Sequence, residues 1–500
     1  MKVNKIAIEL FSLAILSGSL VACSPKATTK SVTPVSKTEN VSAVNSNIKT
    51  KEELFDDDDY TVNFDDSGAI KLNLSDLSLV NGDGVSVFDR KITISKGGIY
   101  VLNGKLESGQ VVVDVKDDEK VRLILNGVDI SSSTNTPIFV KNAKKVIITL
   151  AANTENNLSL DGKVTKTEEN NDSVIYSNSD LSFNGTGVLN LSSGYGKGII
   201  SQDKLVFVDG KYDLDTLDHS VKAKTGLAIA DGSYNIKTGE EGDGLKAEHD
   251  SDKSLGYIYI DNGKFDISVG DDGIGASSNV TINGGDINIS KSTEGIEGEK
   301  IDITGGNIKV VSSDDGINAS SSNKDSAVNK EDLYIKISGG NVQVNANGDG
   351  IDSNGNFFVT GGETFVEGST DNGNAAVDYD GTGTITGGVF VAVGSDGMAQ
   401  SFGDSSTQGN ILTSFSGKQK GTLKVSDKNG NLIKEFTPVK EYKSVVVSTP
   451  DLKQGGSYVL STDSEKSEIT LDKISYGNSR GEFGRPKKNK ENERPQDKPH

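Results

Sequence analysis

The chain has 500 residues, a formal net charge of −20, 33% apolar residues, 58 glycines, 8 prolines and no tryptophan. Lys and Arg total 52 against 72 Asp and Glu. No basic stripe is present to meet a phosphate backbone, which excludes nucleic acid as a partner, while the acidic balance suits cation binding or simply solubility.

In chain order, the first segment is "MKVNKIAIELFSLAILSGSLVAC" (1–23), with Lys2 and Lys5, an apolar run and then Leu20-Val21-Ala22-Cys23. It resembles a bacterial lipoprotein signal peptide with its lipobox. On that reading Cys23 is the lipidated N-terminus, which anchors the chain to the membrane and leaves the remainder extracytoplasmic, at the cell surface. Cys23 is the sole cysteine, so no internal disulfide can form. Residues 24–59 are polar, rich in Ser, Thr and Lys and without periodicity, and read as a flexible tether.

Residues 60–400 repeat. The clearest units are "DGLKAEHDSDKSLGYIYIDNGKFDISVG", "DGIGASSNVTINGGDINISKST", "EGIEGEKIDITGGNIKVVSSD", "DGINASSSNKDSAVNKEDLYIKISGGNVQVNANG" and "DGIDSNGNFFVTGGETFVEGST". The anchor after the glycine moves from Leu245 to Ile274, Ile296, Ile317 and Ile351, in steps of 29, 22, 21 and 34 residues. Gly-Gly turns keep the same rhythm at Gly284-Gly285, Gly305-Gly306, Gly339-Gly340, Gly361-Gly362 and Gly387-Gly388. Between the turns, Val280 and Ile282, Ile287 and Ile289, and Ile301 and Ile303 alternate with polar residues, the period of a strand with one buried face. So short a unit cannot bury its apolar face alone, but stacked units bury a continuous Ile/Val/Leu column. The expected fold is all-β, a right-handed parallel β-helix; propeller blades need about 40–45 residues. Residues 401–475 read as a small C-terminal β-unit with a hairpin turning at Asn429-Gly430. Residues 476–500 read as a disordered charged tail.

Equivalent residues of successive turns would stack about 4.8 Å apart. The residue before the anchor glycine then forms a column of Asp243, Asp272, Glu294, Asp315 and Asp349, with Asp271 and Asp314 beside it. A second column holds Lys246, Gly275, Glu297, Asn318 and Asp352, and Asp371, Asp378 and Asp396 are expected to continue the acidic strip. Like charges at that spacing repel by about 1 kcal/mol per pair in water and several times that in a shielded groove. Proton uptake is one relief; a divalent cation is the better one, and hard carboxylate and backbone oxygens suit calcium. The candidate ligands are Asp243, Asp271, Asp272, Glu294, Asp314, Asp315, Asp349 and Asp352. The competing explanation is local: Asp and Asn favour tight turns for their own hydrogen bonds.

The stretch "KITISKGGIYVLNGKLESGQVVVDVKDDEKVRLILNGVDISSSTNTPIFVKNAKKVIITLAANTENNLSL" (91–160), together with "DLSFNGTGVLNL", "GDGLKAE", "DDGIGA" and "TGGVFVAVGSDGMAQSF", resembles the bacterial carbohydrate-binding β-helix family that is similar to pectate lyases. The resemblance covers roughly residues 60–475. It implies a secreted, calcium-binding fold that holds acidic polysaccharide such as polygalacturonate, with Asp243, Asp271, Asp272, Asp314, Asp315 and Asp349 as calcium positions. Thr293-Glu294 replaces Asp-Asp in one turn and departs from a uniform site. Lys197, Lys222 and Lys246, near the anchors, are the candidates to meet sugar carboxylates.

The leading expectation is thus a surface-anchored, calcium-dependent binder of acidic polysaccharide, not an enzyme. One alternative is a pectate-lyase-like enzyme; no arginine lies between Arg122 and Arg480, so its base would be a lysine, with Lys246 the best placed. The other is an envelope scaffold or adhesin with structural calcium.

Overall fold

The computed structural model describes residues 49–477 except 64–66, 79, 168–169 and 322–329. The signal segment with Cys23, most of the tether and nearly all of the charged tail lie outside the described residues.

Each repeat folds as three short strands. Ile274–Ala276, Asn279–Ile282 and Asp286–Lys291 make one; Ile296–Gly298, Lys300–Ile303 and Asn307–Ser312 make the next. Corresponding strands pair in parallel and in register, Ile274 with Ile296, Val280 with Ile301 and Ile287 with Ile308. Repetition of this step builds a 13-stranded sheet from the first strands and most of a 26-stranded sheet from the second and third. The anchor residues run unbroken through the 13-stranded sheet, from Ile92 through Ile138, Ile199 and Leu245 to Val377. The protein is all-β, as the alternating pattern requires.

The stack encloses one continuous apolar core. Ile274, Ile296, Ile317 and Ile351 are each 0% exposed, and burial of such a side chain contributes about 1.5–3 kcal/mol. The glycine before each anchor is needed for close approach: a Cβ at Gly316 would lie 2.2 Å from Val344 Cγ1 and 2.5 Å from the Gly350 carbonyl. The second glycine of each Gly-Gly turn is left-handed, as at Gly306 with φ +92°.

Beyond Val389–Gly394 the chain reverses. Tyr442–Ser448 pairs antiparallel with that strand, and Asn410–Gln419 pairs with Tyr442–Ser448. The C-terminal region thus prolongs the sheet of the repeats, and Val391 and Val393 share a core with Val425 and Leu460. Leu423–Asp427, Leu432–Phe436, Ser457–Ser461 and Lys466–Thr470 form a separate four-stranded antiparallel sheet. Its first hairpin turns at Gly430, φ +87°, where the sequence places it.

The tether reading fails over its last residues. Lys51–Leu54 and Asp57–Tyr60 are short helices, and Leu54 and Phe55 pack on Val206, Ala228, Tyr257 and Tyr259. Asp59 is 0% exposed, with Oδ1 2.7 Å from Lys145 Nζ. A polar composition hides this docking because two apolar residues and one buried ion pair suffice for it.

Candidate functional site

The turn leading into each anchor strand is stitched to the next turn by its backbone. The N–H of the residue before each anchor, glycine in all but one of these turns, donates to the carbonyl two residues before the next anchor: Gly198 to His219, Ser220 to Asp243, Gly244 to Asp272, Gly273 to Glu294, Gly295 to Asp315 and Gly316 to Asp349, at 2.9–3.1 Å. These bonds fix a column that reads Lys197, His219, Asp243, Asp272, Glu294, Asp315 and Asp349. Two residues past the anchor glycine, the paired strands fix a second column: Ile200, Lys222, Lys246, Gly275, Glu297, Asn318, Asp352 and Asp378. Both columns change from basic or neutral to acidic along the stack.

Asp378 takes its place by pairing with Asp352, which resolves a register the sequence leaves open. Asp396 does not join the strip and pairs instead with Lys443 at 2.8 Å. Asp271 and Asp314 stand one residue earlier and are separated by Thr293, whose N–H donates to Asp271 and whose carbonyl accepts from Asp314. They are therefore not neighbours in a column.

Three carboxylate groups have ligand atoms within 4.8 Å of one another: Asp243 with Asp271 and Asp272; Asp272 with Glu294 and Glu297; and Asp349 with Asp352 and Asp378. Asp314 and Asp315 belong to none of these groups. Glu297 and Asp378, which the sequence places along the strip but not among the candidate ligands, enter these groups.

The upstream end is internally neutralised. Lys246 Nζ lies 2.8 Å from Asp272 and 3.5 Å from Asp243, and His219 Nδ1 lies 2.9 Å from Asp243. Burial works against the Asp243 charge, but His219 and Lys246 outweigh it and its pKa falls. Burial likewise opposes the Lys246 charge, and Asp243 and Asp272 overcome it, so the ammonium is held well above the usual lysine range. Lys222 Nζ is 2.6 Å from Glu248; Lys197 Nζ is 2.7 Å from Asp218 and 3.2 Å from Asp172. All three candidate lysines thus already hold carboxylates of the chain.

The downstream end lacks such partners. Among the described residues, Glu294, Asp315, Asp349 and Asp352 form no ion pair with a base. Burial, then Glu297, pushes Glu294 up to about 8. Burial, then Asp315, Asp349 and Asp378, pushes Asp352 up to about 8. Asp349 rises to about 7, chiefly through burial. Burial also raises Asp315, Asp271 and Glu297.

Some of these acids have a structural task as well. Asp243 Oδ1 accepts the Asp272 N–H at 3.0 Å and Asp315 Oδ1 accepts the Asp349 N–H at 2.7 Å, while Asp349 Oδ1 accepts from Ala375. Asn318 donates through Nδ2 to Glu294 at 3.0 Å, and its buried Oδ1 has no hydrogen-bond partner among the described residues. The "HDSDKS" loop forms a local turn, with Asp252 Oδ1 accepting from the Ser254 N–H and hydroxyl.

Comparison with known proteins adds a relationship. The model of the family described as carbohydrate-binding domain-containing protein matches residues 88–324 and 291–428. A protein of that description from Acetivibrio thermocellus is 31% identical over 225 residues, covering 44% of this chain and 78% of the relative. A solved structure described as a polysaccharide lyase-like protein from C. thermocellum, in a gadolinium derivative, is 28% identical and covers 48% of this chain and 93% of its own, with a TM-score of 0.41. From the family match over more than half of its length and the similarity to the A. thermocellus relative, the chain belongs to the carbohydrate-binding domain-containing protein family.

Proposed function

We propose that this carbohydrate-binding protein is a right-handed parallel β-helix of the pectate-lyase-like kind, anchored to the membrane through Cys23, that binds acidic polysaccharide in a calcium-dependent way. The observation that carries the reading is the set of stacked carboxylates Glu294, Asp315, Asp349 and Asp352, which form no ion pair with a base among the described residues, with Glu294 and Asp352 each part of a close carboxylate cluster. The donor set fits calcium: it consists of hard carboxylate oxygens, joined by the buried, unpartnered Asn318 Oδ1. Asp349, Asp352 and Asp378 would hold one ion, and Asp272, Glu294 and Glu297 another. Bound calcium supplies positive charge that a uronate carboxylate can share.

The lyase alternative ranks second because Lys246, its best base, is held protonated between Asp243 and Asp272. A general base must first be free of its proton. The deciding experiment is co-sedimentation of the purified full-length chain with polygalacturonate, with calcium and with chelator, while ultraviolet absorbance follows unsaturated products. We expect calcium-dependent retention and no absorbance rise. Retention indifferent to chelator would refute the calcium reading, a rise would establish a lyase, and absence of both would leave the scaffold.

A further inference from the structure

A second concave surface lies away from the acid strip. In the ladder of third strands, outward-facing side chains descend in register as Asp266, Asn288, Lys309, Gln343 and Phe365. At Phe365 the C-terminal antiparallel sheet folds over the stack. The Phe436 ring stacks on Phe365 with centroids 5.2 Å apart, and Lys434 Nζ sits 5.0 Å from the Phe365 centroid. Glu367 accepts the backbone N–H groups of Val439 at 2.8 Å and Lys440 at 3.0 Å, which pins the segment forming the far wall.

The result is a groove of about 510 Å³ lined by Val311, Gln343, Asn345, Phe365, Phe436 and Val439. That volume is within the range of sites for small ligands, which combine an apolar lining with a few polar groups. Val311 is 46% and Val439 74% exposed, an uncommon display of apolar surface beside aromatic rings.

Charge identifies the occupant. Glu367 is engaged by backbone N–H groups, and Lys434 lies 3.5 Å from both carboxylate oxygens of Glu363 as well as over the ring. Lys309 and Glu435 remain at the edges, one of each sign. In a chain of net charge −20, this groove has no surplus cation for a polyanion. The side chains of Gln343 and Asn345 make no hydrogen bond among the described residues, and each amide offers both donors and an acceptor. Amides that pair with hydroxyls, beside apolar and aromatic surface that meets C–H faces, complement an uncharged sugar. We propose that this groove is a second glycan subsite, distinct from the acid strip, that takes a neutral oligosaccharide without calcium.

The test is isothermal titration of the full-length chain with xylohexaose, cellohexaose and mannohexaose in chelator. At least one should bind. The double variant Gln343→Ala/Asn345→Ala, whose side chains lie outside the core, should weaken that binding by about tenfold or more with its melting temperature unchanged. Phe365→Ala should also weaken it, with some loss of melting temperature because the ring packs on Phe436, and Asp349→Asn/Asp352→Asn should leave it intact. The proposal is overturned if none of the three sugars binds, or if binding ignores the groove variants. Loss of calcium-dependent polygalacturonate retention in the double variant would also overturn it, because the groove would then serve the acidic polymer. Retention of polygalacturonate by the wild type, measured in parallel, tests the strip separately.

Discussion

Replacement of Asp352 by Asn should stabilise the calcium-free protein, and only above mildly acid pH. Asp352 has ligand atoms within 4.8 Å of both Asp349 and Asp378. Two unit charges at that distance repel by about 0.9 kcal/mol in water and about 3.5 kcal/mol at an effective dielectric of 20. The Asp352 carboxyl, pushed up to about 8 by burial and then by Asp315, Asp349 and Asp378, keeps its proton over a range where an unfolded aspartate has lost it. The sign follows by linkage: the folded state binds the extra proton, so stability is full below about pH 4, the unfolded value, and is lost as pH rises through about 8. The full displacement corresponds to an upper bound on the order of 5 kcal/mol. Solvent still reaches this half-buried group, and screening reduces the realised effect to about 2 kcal/mol.

The assay is urea unfolding of wild type and Asp352→Asn in chelator at pH 4.5 and pH 8.5. We expect the variant to gain about 2 kcal/mol at the higher pH and less than about 0.5 kcal/mol at the lower. Saturating calcium should stabilise the wild type, by about 2.7 kcal/mol at one hundred times Kd, and should stabilise the variant less. A variant no more stable than wild type at pH 8.5 in chelator, or a wild type whose stability climbs steadily from pH 4.5 to 8.5, would refute the electrostatic reasoning.

Two further outcomes follow from other ion pairs. Lys246→Met should destabilise the calcium-free protein by about 3 kcal/mol or more by urea unfolding, because it strips the cation from buried Asp243 and Asp272; added calcium should recover part of that loss. Asp59→Ala leaves the 4%-exposed Lys145 side chain with Asp56 alone, so limited trypsin digestion should cut at Lys49 or Lys51 well before it does in wild type.

The sequence carries the stack well where the anchors are Asp-Gly-Ile or a close variant. Leu245, Ile274, Ile296, Ile317 and Ile351 pair as their spacing requires because glycine and a buried aliphatic residue recur together. Upstream, "GKGII" offers two glycines, and a Cβ would clash at both, 2.2 Å from the Asp172 carbonyl at Gly196 and 2.3 Å from the Ser220 carbonyl at Gly198; the pairing of Ile199 with Val221 makes Gly198 the anchor glycine. Lys197 therefore stands in the column of His219 and Asp243, whereas Lys222 and Lys246 stand in the other. The basic-to-acidic gradient across both columns becomes visible only once that register is known. The groove and the docked residues 49–60 rest on long-range pairs, Phe365 with Phe436 and Lys145 with Asp59, which leave no periodic trace in the sequence.

The two explanations for the aspartates, turn capping and cation binding, separate oxygen by oxygen. Asp243, Asp315 and Asp349 each use Oδ1 to accept a backbone N–H of the following turn. That task needs an oxygen but no charge, and an asparagine carbonyl would perform it. At Asp243 the charge is answered locally by His219 and Lys246. At Asp315 and Asp349 no base of the described residues answers it, and Glu294 and Asp352, each pushed up to about 8, add further carboxyls that accept no backbone N–H among the described residues. Capping therefore accounts for the shape of the column and leaves the downstream charge without a structural reason. Asparagine would serve the backbone there at lower electrostatic cost, so the surplus carboxylates, relieved by protons in the calcium-free protein, are what the proposed calcium binding would use.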